Sequence, residues 1–226
     1  MTVRNPNPTC HREELNMDRS AIVAWAKAER LSLADFFDGL DDHEWQTASL
    51  CPGWTVHDVA AHMTLSTRTT LLGTIKGAIR ARGNFDRMEA DLARERAARF
   101  GPAELIAQLR ETAGSAHRAP LSSPLDPLVD AVVHGQDVAR PLGRPREMPA
   151  EQTVAALEHV LASRFYGARK RLAGTRLVAT DREWSAGEGQ DEIRGAVGDL
   201  LLVATGRAAG LAGVSGPGAE RIAATL

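Results

Sequence analysis

Cysteine is scarce in this chain of 226 residues, which contains only Cys10 and Cys51. Two cysteines are too few for a disulfide framework, so we expect a reducing compartment and predict a cytoplasmic location. The first seven residues, MTVRNPN, are polar and lack the apolar core of a signal peptide. A run of about 18 apolar residues is also lacking, so the sequence predicts no membrane span.

Neither sign of charge dominates the sequence. Its 27 lysines and arginines are balanced by 29 aspartates and glutamates, which gives a formal net charge of −2. Because nucleic-acid-binding surfaces are usually rich in basic residues, we expect no nucleic-acid partner. The hydrophobic fraction of 43% is enough for a core, and the length fits one large or two small domains.

Helical spacing of apolar residues dominates the first part of the chain. We expect residues 1–17 to be disordered and residues 18–145 to form a bundle of helices. Thr55 is followed three residues later by Asp58, which resembles a capping box. A helix is therefore predicted to start there and to continue towards Ile75.

The pattern changes after Pro149. Residues 150–226 combine helical runs with a short predicted strand at 175–180 and the end of a second strand at 193–194. We interpret them as a small α+β domain. The predicted fold class is therefore α+β, with a helical bundle followed by this smaller domain.

Acidic and imidazole side chains occur at helical spacing in residues 130–137, DAVVHGQD. Asp130 and His134 are four residues apart, which on a helix places them on one face about one turn apart. His62 lies on another apolar helix, where its neighbours favour an inward direction. Two imidazoles and a carboxylate suit a borderline cation such as Zn²⁺ and leave one coordination position open, as in catalytic metal sites.

An ordinary structural interpretation also exists for each of these residues. An aspartate and a histidine one turn apart can form an ion pair, and His62 can be a hydrogen-bonded core histidine. Burying an unpaired Asp130 in an apolar helix would be costly, which favours the metal. Asp137 is either a hydrogen-bond partner of a metal-bound histidine or a charge pair with Arg140.

Cys51 and the remaining histidines are weaker candidates. Cys51 precedes a helix N-terminus, where a thiol pKa is lowered in principle, so a nucleophile or a fourth ligand is conceivable. We favour a small buried residue that packs in the turn. His57 lies about 140° around the helix from His62 and is expected at the surface. Four others stand in polar contexts: His11, His43, His117 and His159.

These segments resemble the mycothiol-dependent maleylpyruvate isomerase family, whose N-terminal part is a DinB-like four-helix bundle. The resemblance covers roughly residues 18–215 and is specific for the family rather than for the substrate. It rests on CPGWTV at 51–56, His62, HGQDVAR at 134–140, RKRLAG at 169–174, TDREWS at 180–185 and DLLL at 199–202 leading into Gly206 and Arg207.

The resemblance implies a divalent metal, usually zinc, held by His62, His134 and Asp130, the last in a position where the family commonly has glutamate. It implies mycothiol as the thiol cofactor, a small electrophilic or unsaturated acid as substrate, and Arg207 as a catalytic and cofactor-binding residue. The implied activity is cis–trans isomerisation of a maleyl-type substrate by a metal-activated thiolate. A mycothiol S-transferase of the same fold and a non-enzymatic metal-binding or interaction protein are the alternatives.

Overall fold

A computed structural model describes residues 19–68, 84–117 and 122–226 of the chain. The predicted disordered segment 1–17 and the predicted continuation of the helix towards Ile75 lie outside these residues. The helices are α1 (Arg19–Asp38), α2 (Asp42–Gln46), α3 (Val56–Leu65), α4 (Phe85–Ala97), α5 (Pro102–Thr112), α6 (Asp126–Ala139), α7 (Ala150–Ala162), α8 (Ala168–Arg171), α9 (Val197–Ala204) and α10 (Pro217–Ala223), with a 3₁₀-helix at Ala208–Gly213. Within the described ranges, no helix has the length and apolar character needed to cross a membrane.

A small mixed sheet begins after α8. Its strands are β1 (Thr175–Ala179), β2 (Ser185–Ala186), β3 (Asp191–Gly195) and β4 (Val214–Ser215), in the spatial order β2-β1-β3-β4. β1 and β3 are parallel, and β2 and β4 pair antiparallel at the two edges. The predicted α+β class is thereby confirmed, whereas the four-helix bundle and the domain boundary near residues 145–150 stay predictions.

The start of α3 is fixed by the predicted capping box. The Thr55 hydroxyl accepts a hydrogen bond from the Asp58 backbone N–H, and the Asp58 carboxylate accepts one from the Thr55 N–H. These bonds satisfy helix donors that would otherwise lack partners. Gly53 allows the turn before the helix because its φ of 74° lies in the left-handed region. The turn is tied to α6 by the Leu50 N–H, which donates to the carbonyl of Asp137 at 2.9 Å.

Helix α6 is buried along most of its length and belongs to two hydrophobic cores. Ala131 and Val138 pack with apolar side chains of α1, α3 and α5. Val129 and Val133 pack with α7, α9 and the inner face of the sheet. Because α6 is packed on both sides, a polar group on this helix has a narrow choice of directions, and its position is well determined.

A buried ion pair anchors the segment after α6 to α1. Arg146 Nη2 lies 3.0 Å from Glu29 Oε2, and the two side chains are only 7% and 6% exposed. The side chain of Arg146 passes directly over Gly135, where an added Cβ would come within 2.4 Å of Arg146 Nε. This glycine therefore leaves room for the pair.

We predict that Arg146→Ala lowers the free energy of unfolding by about 3–5 kcal/mol, because it leaves the Glu29 carboxylate buried without a partner. Burial already raises the pKa of Glu29 against the opposing charge of Arg146. Without Arg146 the pKa of Glu29 in the folded protein rises further. Between about pH 5 and pH 8 the Glu29 carboxyl of the unfolded chain is ionised, whereas the buried carboxyl resists ionisation. The variant should therefore lose stability as the pH increases through this range. Urea denaturation at both pH values measures this.

Arg110→Ala is the control for this experiment. Arg110 makes comparable ion pairs with Asp35 and Asp38, but on the surface. Surface pairs contribute little, so a small loss of stability is expected. Equal losses in the two variants would contradict the importance of the buried pair.

Candidate metal site

His62 of α3 meets Asp130 and His134 of α6 at one point between the two helices. Nε2 of His62 lies 3.3 Å, and Nε2 of His134 lies 3.4 Å, from Oδ1 of Asp130. Two ligand atoms that each lie about 2.0–2.1 Å from a tetrahedral zinc ion are roughly 3.3–3.4 Å apart, so both separations suit one ion. The donor set of two imidazoles and one carboxylate suits the same metal. The structure thus brings together the three residues that the sequence predicted as ligands.

Each histidine faces a further carboxylate with its other ring nitrogen. Nδ1 of His134 lies 2.9 Å from Oδ2 of Asp137. Nδ1 of His62 lies 3.3 Å from Oε2 of Glu89, an ion-pair contact whose angle is poor for a hydrogen bond. A carboxylate beside Nδ1 favours a proton on that nitrogen and leaves the Nε2 lone pair for a metal. The sequence did not indicate Glu89, which lies on the charged helix α4.

The electrostatics of the three ligands favour a cation. Burial by itself would lower the pKa of His62, but the charges of Asp130 and Glu89 outweigh it and raise that pKa to about 10. Burial would raise the pKa of Asp130, but His62 and His134 lower it to about 2. A metal that binds here has to displace a proton from His62, so its affinity should fall as the pH falls.

Asp137 is fully buried, and its carboxylate interacts with three side chains, one on its own helix and two on other segments of the chain. Besides His134, it accepts hydrogen bonds from Arg207 Nε at 3.2 Å and Nη2 at 2.8 Å, and from the Cys51 thiol at 3.2 Å. Burial opposes ionisation, but the contacts with His134 and Arg207 hold the Asp137 pKa well below its usual value. Arg140 pairs with Asp199 instead, so the structure favours the interpretation of Asp137 as a partner of His134.

Arg207 reaches this site from the segment that follows α9. Gly206 turns the chain there with a φ of 86°. The guanidinium of Arg207 donates to both carboxylate oxygens of Asp137 and, through Nη1, to the Thr205 carbonyl at 3.0 Å. The resemblance implies that Arg207 binds substrate or cofactor. In the structure, its Nε and Nη2 are instead used to bind the carboxylate of Asp137.

Trp54 and Cys51 cover the site from the turn before α3. The Trp54 ring is nearly parallel to His134, with a centroid separation of 6.4 Å, and lies 5.2 Å from the ring centroid of His62. Cys51 lines a cavity of about 390 Å³ between this turn and residues 206–209. Burial, together with the negative charge of Asp137, raises the pKa of the Cys51 thiol well above its usual value. The raised pKa favours the interpretation of Cys51 as a buried residue that packs in the turn, rather than as a nucleophile.

The other histidines lie away from this cluster, and those beyond residue 18 are described. His57 is half-buried rather than at the surface, with Nε2 3.0 Å from the carbonyl of Phe100. His159 lies 2.7 Å from Asp126, which also accepts a hydrogen bond from the Tyr166 hydroxyl. Asp126 is one turn before Asp130, so α6 carries a continuous polar stripe. His43 and His117 are exposed, and His11 lies outside the described residues.

Comparisons with known proteins agree with the resemblance. A family model described as the mycothiol maleylpyruvate isomerase N-terminal domain matches residues 26–148. A crystal structure of the mycothiol-dependent maleylpyruvate isomerase is 14% identical, with a TM-score of 0.54 over 88% of this chain and 93% of that chain. A mutant of that isomerase gives a TM-score of 0.58 with the same identity and coverage. This likeness is one of fold, and no curated protein matches the chain.

We predict that Cys51 reacts slowly with iodoacetamide. Because its pKa is raised, the reactive thiolate is rare at pH 8. In a Cys10→Ser variant, alkylation of the folded protein should be at least about tenfold slower than that of N-acetylcysteine, followed by mass spectrometry. The rate should recover in denaturant, which serves as the control. Fast alkylation of the folded protein would restore the nucleophile interpretation.

Proposed function

We propose that this chain, which belongs to the mycothiol maleylpyruvate isomerase N-terminal domain family, is a metal- and mycothiol-dependent enzyme that isomerises a small acid of the maleyl type. The observation that carries this proposal is the convergence of Nε2 of His62, Nε2 of His134 and Oδ1 of Asp130 on one point. We further infer that the N-terminal helices form the DinB-like four-helix bundle that the resemblance implies. The fold shared with the solved isomerase supports both inferences.

His62, Asp130 and His134 would hold the metal, and the donor set suits zinc. When bound, the metal would supply the positive charge that favours the thiolate form of a coordinated thiol near neutral pH. Aspartate in place of the family's usual glutamate is compatible with this, because Asp130 Oδ1 already lies 3.3–3.4 Å from both imidazole nitrogens. A longer side chain is not needed at this spacing of the helices.

The surrounding residues would hold the ligands in the binding orientation. Asp137 keeps a proton on Nδ1 of His134, so that Nε2 is available, and Glu89 does the same more weakly for His62. Trp54 packs beside the two imidazoles and would restrict their movement. Arg207 fixes Asp137, so we propose that it acts on the metal site through this carboxylate.

We predict that His134→Ala lowers the affinity for Co²⁺ by more than about 100-fold, since loss of a ligand should exceed the 10–100-fold effect of losing a supporting hydrogen bond. Mycothiol added to the cobalt-loaded wild type should produce a thiolate-to-metal charge-transfer band. His57→Ala is the matched control, because His57 lies on the same helix as His62 but bonds to Phe100. It should retain both the cobalt affinity and the band.

The same material tests the reaction. Conversion of a maleyl acid to its trans isomer that requires mycothiol and is absent in His134→Ala would support the isomerase. A stable mycothiol adduct of the acid would instead indicate the S-transferase. A metal-loaded protein with no charge-transfer band at any mycothiol concentration would contradict thiol activation and favour the non-enzymatic alternative.

We predict that Arg207→Ala lowers zinc affinity about 10–100-fold, because it leaves Asp137 less well oriented against His134. ¹⁵N NMR of the imidazoles should show a smaller fraction of Nδ1-protonated His134. Arg140→Ala is the control, since Arg140 joins the same two parts of the chain through Asp199. If Arg207→Ala instead weakens only mycothiol binding, then Arg207 binds the cofactor directly.

A further inference from the structure

A second group of potential metal ligands meets at the other ring nitrogen of His134. Nδ1 of His134 lies 2.9 Å from Oδ2 of Asp137, and the Cys51 sulfur lies 3.2 Å from the same oxygen and 3.6 Å from Nδ1. These three atoms are close enough together to bind one cation. The proposed metal site uses Nε2 of His134, so this second group is distinct from it and shares one residue with it.

The three separations suit a tetrahedral ion after a small adjustment. Bonds of about 2.3 Å to sulfur and 2.0–2.1 Å to nitrogen or oxygen place the sulfur roughly 3.5–3.6 Å from the other two ligand atoms. The distance from the Cys51 sulfur to Nδ1 of His134 already has this value. The two distances to Oδ2 of Asp137 are shorter than those of an ion site by about 0.3–0.5 Å, because these groups contact each other directly.

The backbone holds Cys51 beside α6, and a cavity gives access to its sulfur. The Leu50 N–H donates to the carbonyl of Asp137 at 2.9 Å, and the Cys51 N–H donates to the Ser49 hydroxyl at 3.1 Å. Cys51 also lines the cavity of about 390 Å³ that is bordered by residues 206–209. A cation can therefore approach the sulfur from a side that the first ligand group does not line.

Arg207 determines which cations this position suits. It donates to both oxygens of Asp137, and its positive charge repels a cation there. Magnesium and calcium prefer oxygen ligands, so a single carboxylate that is already paired offers them too little. A thiophilic cation gains a bond to the Cys51 sulfur as well, and its coordination removes the thiol proton and adds a negative charge.

We propose that Cys51, Nδ1 of His134 and Asp137 form a second metal position for thiophilic cations, and that its occupation excludes a metal from the first position. A neutral imidazole carries one proton on its two nitrogens. A cation on Nδ1 of His134 leaves that proton on Nε2, which then cannot bind the first metal. The second position itself does not depend on the proposed function, whereas its effect as an inhibitory site does.

The first test uses Cd²⁺ as the probe in a Cys10→Ser protein, where Cys51 is the remaining cysteine. Cd²⁺ should produce a thiolate-to-cadmium charge-transfer absorption in the ultraviolet. Adding Cys51→Ser should abolish it, although serine keeps a donor for Asp137. Adding His62→Ala instead should preserve it, because His62 belongs to the first position alone. Absence of the band in the Cys10→Ser protein, or its loss in folded His62→Ala, would overturn the proposal.

Exclusion is measured by loading the Cys10→Ser protein with Co²⁺ and following the cobalt d–d spectrum as Cd²⁺ is added. Cys51→Ser should require at least about tenfold more Cd²⁺ for the same loss of cobalt, since a lost ligand exceeds the smallest effect of a lost supporting contact. Mg²⁺ at the same concentrations is the control and should leave the spectrum unchanged.

An equal Cd²⁺ requirement in the two proteins would mean that cadmium simply replaces cobalt at the first position, and it would reject exclusion. A protein that binds no Co²⁺ would reject the first position and with it the proposed function. The cadmium band would then decide the second position by itself, because that measurement needs neither mycothiol nor an acid substrate.

Discussion

The buried carboxylate of Asp137 is the group on which the arrangement of the site depends. A charge that is fully enclosed must be surrounded by donors, and this one draws them from different parts of the chain: His134 one turn before it, Cys51 in the turn before α3, and Arg207 after α9. Removing any of these segments from α6 would leave the carboxylate under-bonded. The Asp137–Arg207 pair therefore helps to hold the helical part and the sheet part against each other, together with the Arg140–Asp199 pair.

Helix α6 makes this possible because it is apolar on two flanks and polar along one line. Its flanks belong to separate hydrophobic cores, and packing on both sides fixes the rotation of the helix. In the middle of the polar line, Asp130 and His134 then face α3, where His62 lies. Burial of the apolar residues within 128–138 thus determines where the candidate metal ligands lie. The same packing offsets the unfavourable free energy of burying their charges.

Local patterns were enough to predict that His62, Asp130 and His134 come together, and they offered Asp137 as a partner of His134, but they did not indicate Glu89. Asp130 and His134 are linked by helical spacing, and the capping box at Thr55 fixed the start of the helix that carries His62. Glu89 lies in a charged helix, where nothing in the pattern distinguishes a solvated glutamate from one that meets His62. Arg30 did carry a signal, because it falls on the apolar face of α1 between Ala26 and Leu33, a position where a charged residue requires a partner.

Charge pairing connects the stability of this protein with its chemistry. The buried Arg146 has a carboxylate partner within the chain, Glu29. Elsewhere the balance is incomplete: His62 carries a proton that a metal would displace, and Arg30 on α1 has two buried donors that no described residue accepts. The two unpaired donors of Arg30 reduce the stability of the protein, because a buried charged donor without a partner is unfavourable, whereas the proton on His62 is stabilised by Asp130 and Glu89. The two carboxylates around His62 are explained if a cation replaces that proton, so that metal binding uses a charge arrangement that folding has already built.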